Sequence, residues 1–144
     1  MQKWARGGLR VEVDARGGIV VVEFVGLVTR GVLSDFCRDG PSGPASADCL
    51  LACFRRATVV ADEDELIEVL KEAHARGRFV APAAILCREQ DRALFERYAR
   101  RAAAEGAVRT VFRDERLAAE WCRSRSESAG LARRMARMSA SRSH

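Results

Sequence analysis

The sequence predicts a single α/β domain in the order ββαβαβαβα, with a mixed, mainly parallel sheet opened by an antiparallel hairpin. Three observations carry that prediction. Two strand patterns near the start are joined by glycines, as in a hairpin. After them, short apolar runs alternate with stretches of helical periodicity, the pattern of successive strand–helix crossovers. A chain of 144 residues with 48% apolar side chains is also long enough to bury one core without disulfide or metal support.

Leu9–Asp14 alternates, placing Leu9, Val11 and Val13 on one side and Arg10, Glu12 and Asp14 on the other, as a half-buried strand does. The following ARGG supplies turn glycines, and Ile19–Val25 is apolar enough for a more deeply buried partner strand ended by Gly26. Thr29 is placed to cap a short helix that turns Val32, Leu33, Phe36 and Cys37 inward. Two prolines and two glycines in the 38–47 segment make it a loop. Cys49–Phe54 is apolar on both faces, as a central strand is.

Asp62 opens the next helix, with Glu65 three residues on, the spacing of a capping box. Leu66, Ile67, Leu70 and Ala73 form its inward stripe, and Gly77 stops it. The spacing then predicts a strand over Phe79–Cys87, a helix capped by Asp91, a strand over Val108–Phe112, and a last helix capped by Asp114. The Asp91 helix turns Leu94, Phe95, Tyr98 and Ala102 inward, and the last helix buries Leu117, Ala118 and Trp121.

Charge divides the chain. Six of its 25 basic residues and one of its 20 acidic residues lie from Arg123 onward, which leaves nineteen of each before that point and a net charge of +5 wholly in the tail. The organisation expected is therefore an N-terminal extension over 1–8, an α/β domain over 9–122, and a basic Arg/Ser-rich tail over 123–144 without fixed structure. Contact with nucleic acid or anionic lipid is expected, if anywhere, only through that tail. No run of roughly 18 apolar residues marks a membrane span. The first residues lack the apolar stretch of a secretory signal, so a cytoplasmic location is expected.

Catalytic and metal-binding patterns are sparse. Five cysteines without a C-x-x-C, and His74 and His144 as the only histidines, point to buried thiols rather than a disulfide framework or zinc site. Cys49 and Cys53 fall on one side of a strand but some 13 Å apart at about 3.3 Å per residue, too far for dithiol chemistry. Cys87 ends a strand, where α/β sites often form, but no glycine loop follows it. His74 has no acid or nucleophile near it in the chain. The acidic run Asp62–Glu65 suits the positive end of a helix, which explains it without metal. No phosphate-loop, dinucleotide, serine-hydrolase or zinc-protease motif occurs. With Lys3 and Lys71 as the only lysines, a phosphate-accepting receiver domain is disfavoured too. No enzyme activity, cofactor or metal is expected.

Three strings carry a family resemblance: VEVDARGGIVVVEFVG (Val11–Gly26), CLLACFRRATVVADEDEL (Cys49–Leu66) and VRTVFRDERLAAEW (Val108–Trp121). Together they resemble the STAS-like (anti-sigma-factor-antagonist-like) superfamily, in particular the short bacterial stand-alone domains described as STAS/SEC14-like. The resemblance spans about residues 9–122. It implies a non-catalytic regulatory or adaptor domain that binds a protein partner between the third strand and second helix, here Thr58, Ala61, Asp62, Glu63 and Asp64. Homodimerisation is left open. Its SEC14-like side implies an alternative, a small ligand or lipid held between sheet and helices, with Ala81, Ala83 and Ala84 leaving room.

Some members are switched by phosphorylation of a serine in that connection. Here Ala61, Asp62 and Glu63 stand where the serine is expected, and Thr58 is the nearest hydroxyl. The fixed carboxylates already place negative charge where a phosphate would add about −2. The surface is therefore expected to be constitutively in one state, or to have lost the switch.

Overall fold

The computed structural model describes residues 1–142. Strands β1 (Gln2–Arg6), β2 (Leu9–Arg16), β3 (Ile19–Val28), β4 (Cys49–Val59), β5 (Ala83–Leu86) and β6 (Arg109–Phe112) form one sheet in that order. The first three pair antiparallel and β3 to β6 pair parallel. Helices α1 (Arg30–Asp39), α2 (Glu63–Ala75) and α3 (Arg92–Ala104) connect the parallel strands, and α4 (Glu115–Arg142) follows β6.

The order never reverses among the described residues. Parallel crossovers are right-handed, so a sheet that grows in one direction places all its crossover helices on one face. That face is packed from Val20, Val22, Phe24, Leu50, Phe54 and Ile85 against Leu33, Phe36, Leu66, Val69 and Phe95. Alternation sends Ile19, Val21, Cys49, Leu51, Ala84 and Leu86 to the opposite face, where Ala118, Trp121 and Cys122 of α4 cover them. The aromatic rings are all but confined to the three-helix face. Phe54 stacks on Phe24 with centroids 4.3 Å apart and meets Phe95 at 4.8 Å.

The local signals account for several elements directly. The Thr29 hydroxyl accepts from the Val32 amide at 3.2 Å, and the Asp62–Glu65 capping box is present with both bonds. Gly26 holds φ at 110°, and a β-carbon there would lie 2.2 Å from the Gly8 carbonyl oxygen, so only glycine lets β2 and β3 meet at that point.

Other elements depart from the sequence expectation. Most of the 1–8 segment is β1, an edge strand whose Trp4 meets Phe36 edge-on at 5.4 Å. Only Trp4 in it is partly buried, so it lacks the alternation of a half-buried strand. β4 runs five residues past Phe54, through a register shift opposite Glu23/Val25. The strand expected over Phe79–Cys87 shrinks to Ala83–Leu86, because Gly77 and Phe79 take φ of 68° and 54°. Phe79 thereby turns back onto Phe36 at 5.5 Å, and Arg78 donates to the carbonyls of Cys37 and Gly40.

Asp91 does not cap α3. It closes a 3-10 turn and its carboxylate accepts from Arg88 at 3.1 Å. Asp114 does serve α4, accepting from the Arg116 amide at 2.7 Å. Leu117, expected inside, is 47% exposed, and Cys122 takes the buried place with Ala118.

The segment from Arg123 on, expected to lack fixed structure, continues α4 as a helix to Arg142. Its arginines, alanines, leucine and methionines are good helix formers. Asp48, just before β4, anchors it. The Asp48 carboxylate, 6% exposed, accepts from Arg133 at 2.7 Å and from the Ser126 hydroxyl at 3.1 Å. Those bonds, Arg133 first, hold its carboxyl below the usual range. Residues 143 and 144, His144 among them, lie outside the described part.

Candidate functional site

Five residues were expected to meet a partner, and the structure distributes them over three settings. Thr58 is not in a connection: it lies on β4, exposed, beside Leu27 of β3. Ala61 is 4% exposed within the core, so it offers a partner no side-chain surface. Asp62, Glu63 and Asp64 form the first turn of α2, and only 60–62 remain as connection.

The three acids differ in freedom. Asp62 is committed to the cap: its Oδ1 accepts from the Glu65 amide at 2.9 Å, while its own amide donates to Glu65 at 3.1 Å. Glu63 accepts from Arg97 at 3.1 Å and from Arg101 at 2.8 Å, both from α3, and Asp64 also takes Arg101. The acidic turn is thus neutralised in part by the neighbouring helix. Further along α2, Glu68 and Glu72 hold Arg30 of α1 at 2.7 and 3.0 Å.

Sequence reasoning missed the apolar members of this surface. Leu27 is 41% exposed and Val60 57% exposed, and Val60 is fixed by its amide donating to the Val28 carbonyl at 3.0 Å. Leu27 and Thr58 point to the α4 side of the sheet, but α4 begins near Arg55, whose guanidinium donates to the Arg113 carbonyl at 2.9 Å. From there it runs back toward Cys49, so the carboxyl ends of β3 and β4 stay uncovered. Leu27 and Val60 are thus exposed beside Thr58 at the carboxyl ends of β3 and β4, and Asp62 follows Val60 by two residues in the chain. The signal that could have found it is the apolar pair at strand ends, Leu27 and Val60, which continues beyond the residues that fill the core.

The thiols on the three-helix face are poorly suited to nucleophilic work. Burial pushes Cys37 up to about 12 and Cys87 up to about 11, so both are protonated at neutral pH. His74 is held below its ordinary value by burial and then by Arg109. Among the described residues, no three His, Cys, Asp or Glu side chains gather as a metal-binding group, and no helix is long and apolar enough to cross a membrane.

No protein-family model matches the chain, and no curated protein matches it. Solved structures similar to it include an anti-sigma factor antagonist from Mycobacterium paratuberculosis, with 11% identity, 80% of this chain and 94% of that one covered, and a TM-score of 0.47. Another is the anti-sigma factor antagonist SpoIIAA in its unphosphorylated form, at 14% identity, 78% and 97% coverage, and a TM-score of 0.38. A third is the Bacillus cell fate determinant SpoIIAA in its phosphorylated form, at 13% identity, 74% and 95% coverage, and a TM-score of 0.36.

Proposed function

We propose that this chain is a non-catalytic regulatory or adaptor domain that binds a protein partner at the carboxyl ends of β3 and β4. The observation that supports this is the exposure of Leu27 and Val60 beside Thr58, where α4 leaves the sheet uncovered. Small apolar centres with a polar rim are what protein interfaces use. Thr58, Asp62, Glu63 and Asp64 contribute that rim, and Ala61 supports it from beneath.

The surface is held in one state. Asp62 is already bound into the helix cap, and Glu63 and Asp64 already neutralise Arg101, so a phosphate has no vacant positive site to order. A photo-crosslinking residue at Val60 in the native host should trap one discrete protein, and the same residue at exposed Arg76 should not. Equal or absent adducts at both positions would count against the site. A cognate kinase that modifies Thr58 and changes the trapped species would overturn the one-state reading.

A second reading, a small ligand between sheet and helices, rests on a cavity of about 110 Å³ lined by Phe24, Phe36, Phe54, Tyr98 and Arg109 among others. A void of about 150 Å³ takes a benzene-sized molecule, so this one has no room for an acyl chain. Arg109 is also occupied, donating to the carbonyls of Phe79, Ala81 and Val108 at 2.9 to 3.0 Å. A lipid that raises the melting temperature of the full chain would revive this alternative.

A further inference from the structure

The face of the sheet covered by α4 holds two thiols in contact. Cys49, the first residue of β4, and Cys122 of α4 are fully buried with their Sγ atoms 2.8 Å apart. They are 73 residues apart in the chain. Each sulfur also faces the Leu50 carbonyl oxygen, at 3.7 and 3.6 Å.

Arg125 lies three residues after Cys122 on α4. Its guanidinium lies 4.3 Å from the Trp121 ring centroid, and its Nε is buried without a hydrogen-bond partner. A surface groove lined by Asp48, Trp121, Ser124, Arg125 and Ser128 opens there, and Asp48 and Trp121 are the chain neighbours of the two cysteines. The bond donated by Cys49, with Arg125 as a lesser contribution, favours the thiolate on Cys122 and lowers its pKa. The thiolate is the reactive form of cysteine.

We propose that Cys49 and Cys122 are a redox-active pair that closes to a disulfide when the protein meets a peroxide, fastening α4 covalently to β4. The Cys122 thiolate attacks one oxygen of hydrogen peroxide: an S–O bond forms, the O–O bond breaks, and the departing hydroxide takes up a proton as water. Cys49 sulfur then attacks Cys122 sulfur, the S–O bond breaks, and the hydroxide that leaves takes the Cys49 proton as a second water. Two thiols lose two electrons in all, and one peroxide gains them.

Access follows from the thinness of this side. One helix covers it, through Ala118, Cys122 and Trp121, so local opening of α4 is less costly than unfolding the sheet.

The test uses the full chain, reduced and freed of reductant, then exposed to hydrogen peroxide, alkylated under denaturing conditions and digested. A Cys49–Cys122 linked peptide is expected, and oxidised protein should melt at least ~5 °C above reduced protein. The triple variant C37A/C53A/C87A, which keeps only this pair, should still link. The double variant C49A/C122A should fold with the circular dichroism of the parent and show no peroxide-dependent shift in melting. Absence of the linked peptide, Cys122 stopping at sulfenic or sulfinic acid, or linkage appearing only in denatured protein would each overturn the proposal.

Discussion

The two faces of the sheet are built on different principles. The three-helix face is a broad aromatic core, in which Phe24, Phe36, Phe54 and Phe95 interlock beneath α1, α2 and α3. The α4 face is narrow and made of small or short side chains, with Ala84, Cys49, Ala118 and Cys122 at its centre. One face is held by area. The other is held by a few specific contacts: the two thiols, the Asp48 carboxylate and its partners. Loss of one contact should therefore matter differently on each side.

The largest expected effect is on the aromatic side. Phe54→Ala removes contacts to both Phe24 and Phe95 and should cost about 3–5 kcal/mol in denaturant unfolding, whereas Leu51→Ala, under α4 alone, should cost about 2 kcal/mol. Equal costs would mean that the two faces are equally well packed. Gly18→Ala attacks the α4 side by another route. Its β-carbon would lie 2.1 Å from Asp48 Oδ2 and 2.7 Å from the Ser126 hydroxyl, and overpacking of this kind costs about 1–3 kcal/mol. The cost should come with faster proteolysis after Arg123 while α1 to α3 stay protected.

The smallest effects are in pH dependence, and they separate the faces along the pH axis. His74, packed on the three-helix side, has its pKa lowered from 6.5, by burial foremost. The unfolded chain then takes up the proton more readily, so stability falls as pH drops below about 6.5 and levels off below the folded value. Asp48 has its pKa lowered from 3.8, chiefly by Arg133. Its contribution is present above about 3.8 and is lost as pH falls through the folded value. In a Trp4→Phe background, Trp121 fluorescence should report only the second transition, and Asp48→Asn should abolish it. Urea unfolding at a series of pH values should show the first, and His74→Gln should flatten it.

Legibility in the sequence followed the range of the forces. The Asp62–Glu65 box and the Thr29 cap are local, set by residues three apart, and both could be read off. The extent of β4 could not. Its last residues alternate exposed Arg56 and Thr58 with buried Ala57, and their pairing with Val25 to Val28 depends on a bulge that only the neighbouring strand reveals. The acidic first turn of α2 was legible and its neutralising arginines were not, because Arg97 and Arg101 arrive from α3. The contact of Cys49 with Cys122 and the anchoring of α4 by Asp48 cross more than seventy residues, and no local pattern announces them.

The direction of α4 has a geometric consequence. The helix starts beside the carboxyl ends of the strands and travels to their amino ends, where Asp48 grips Arg133. The nine residues from Arg134 to Arg142 then carry the helix about 13 Å beyond the Arg133–Asp48 contact at the usual helical rise. The molecule has two poles, with exposed Leu27, Thr58 and Val60 at one and the arginine-rich end of α4 at the other, and the sheet as spacer between them.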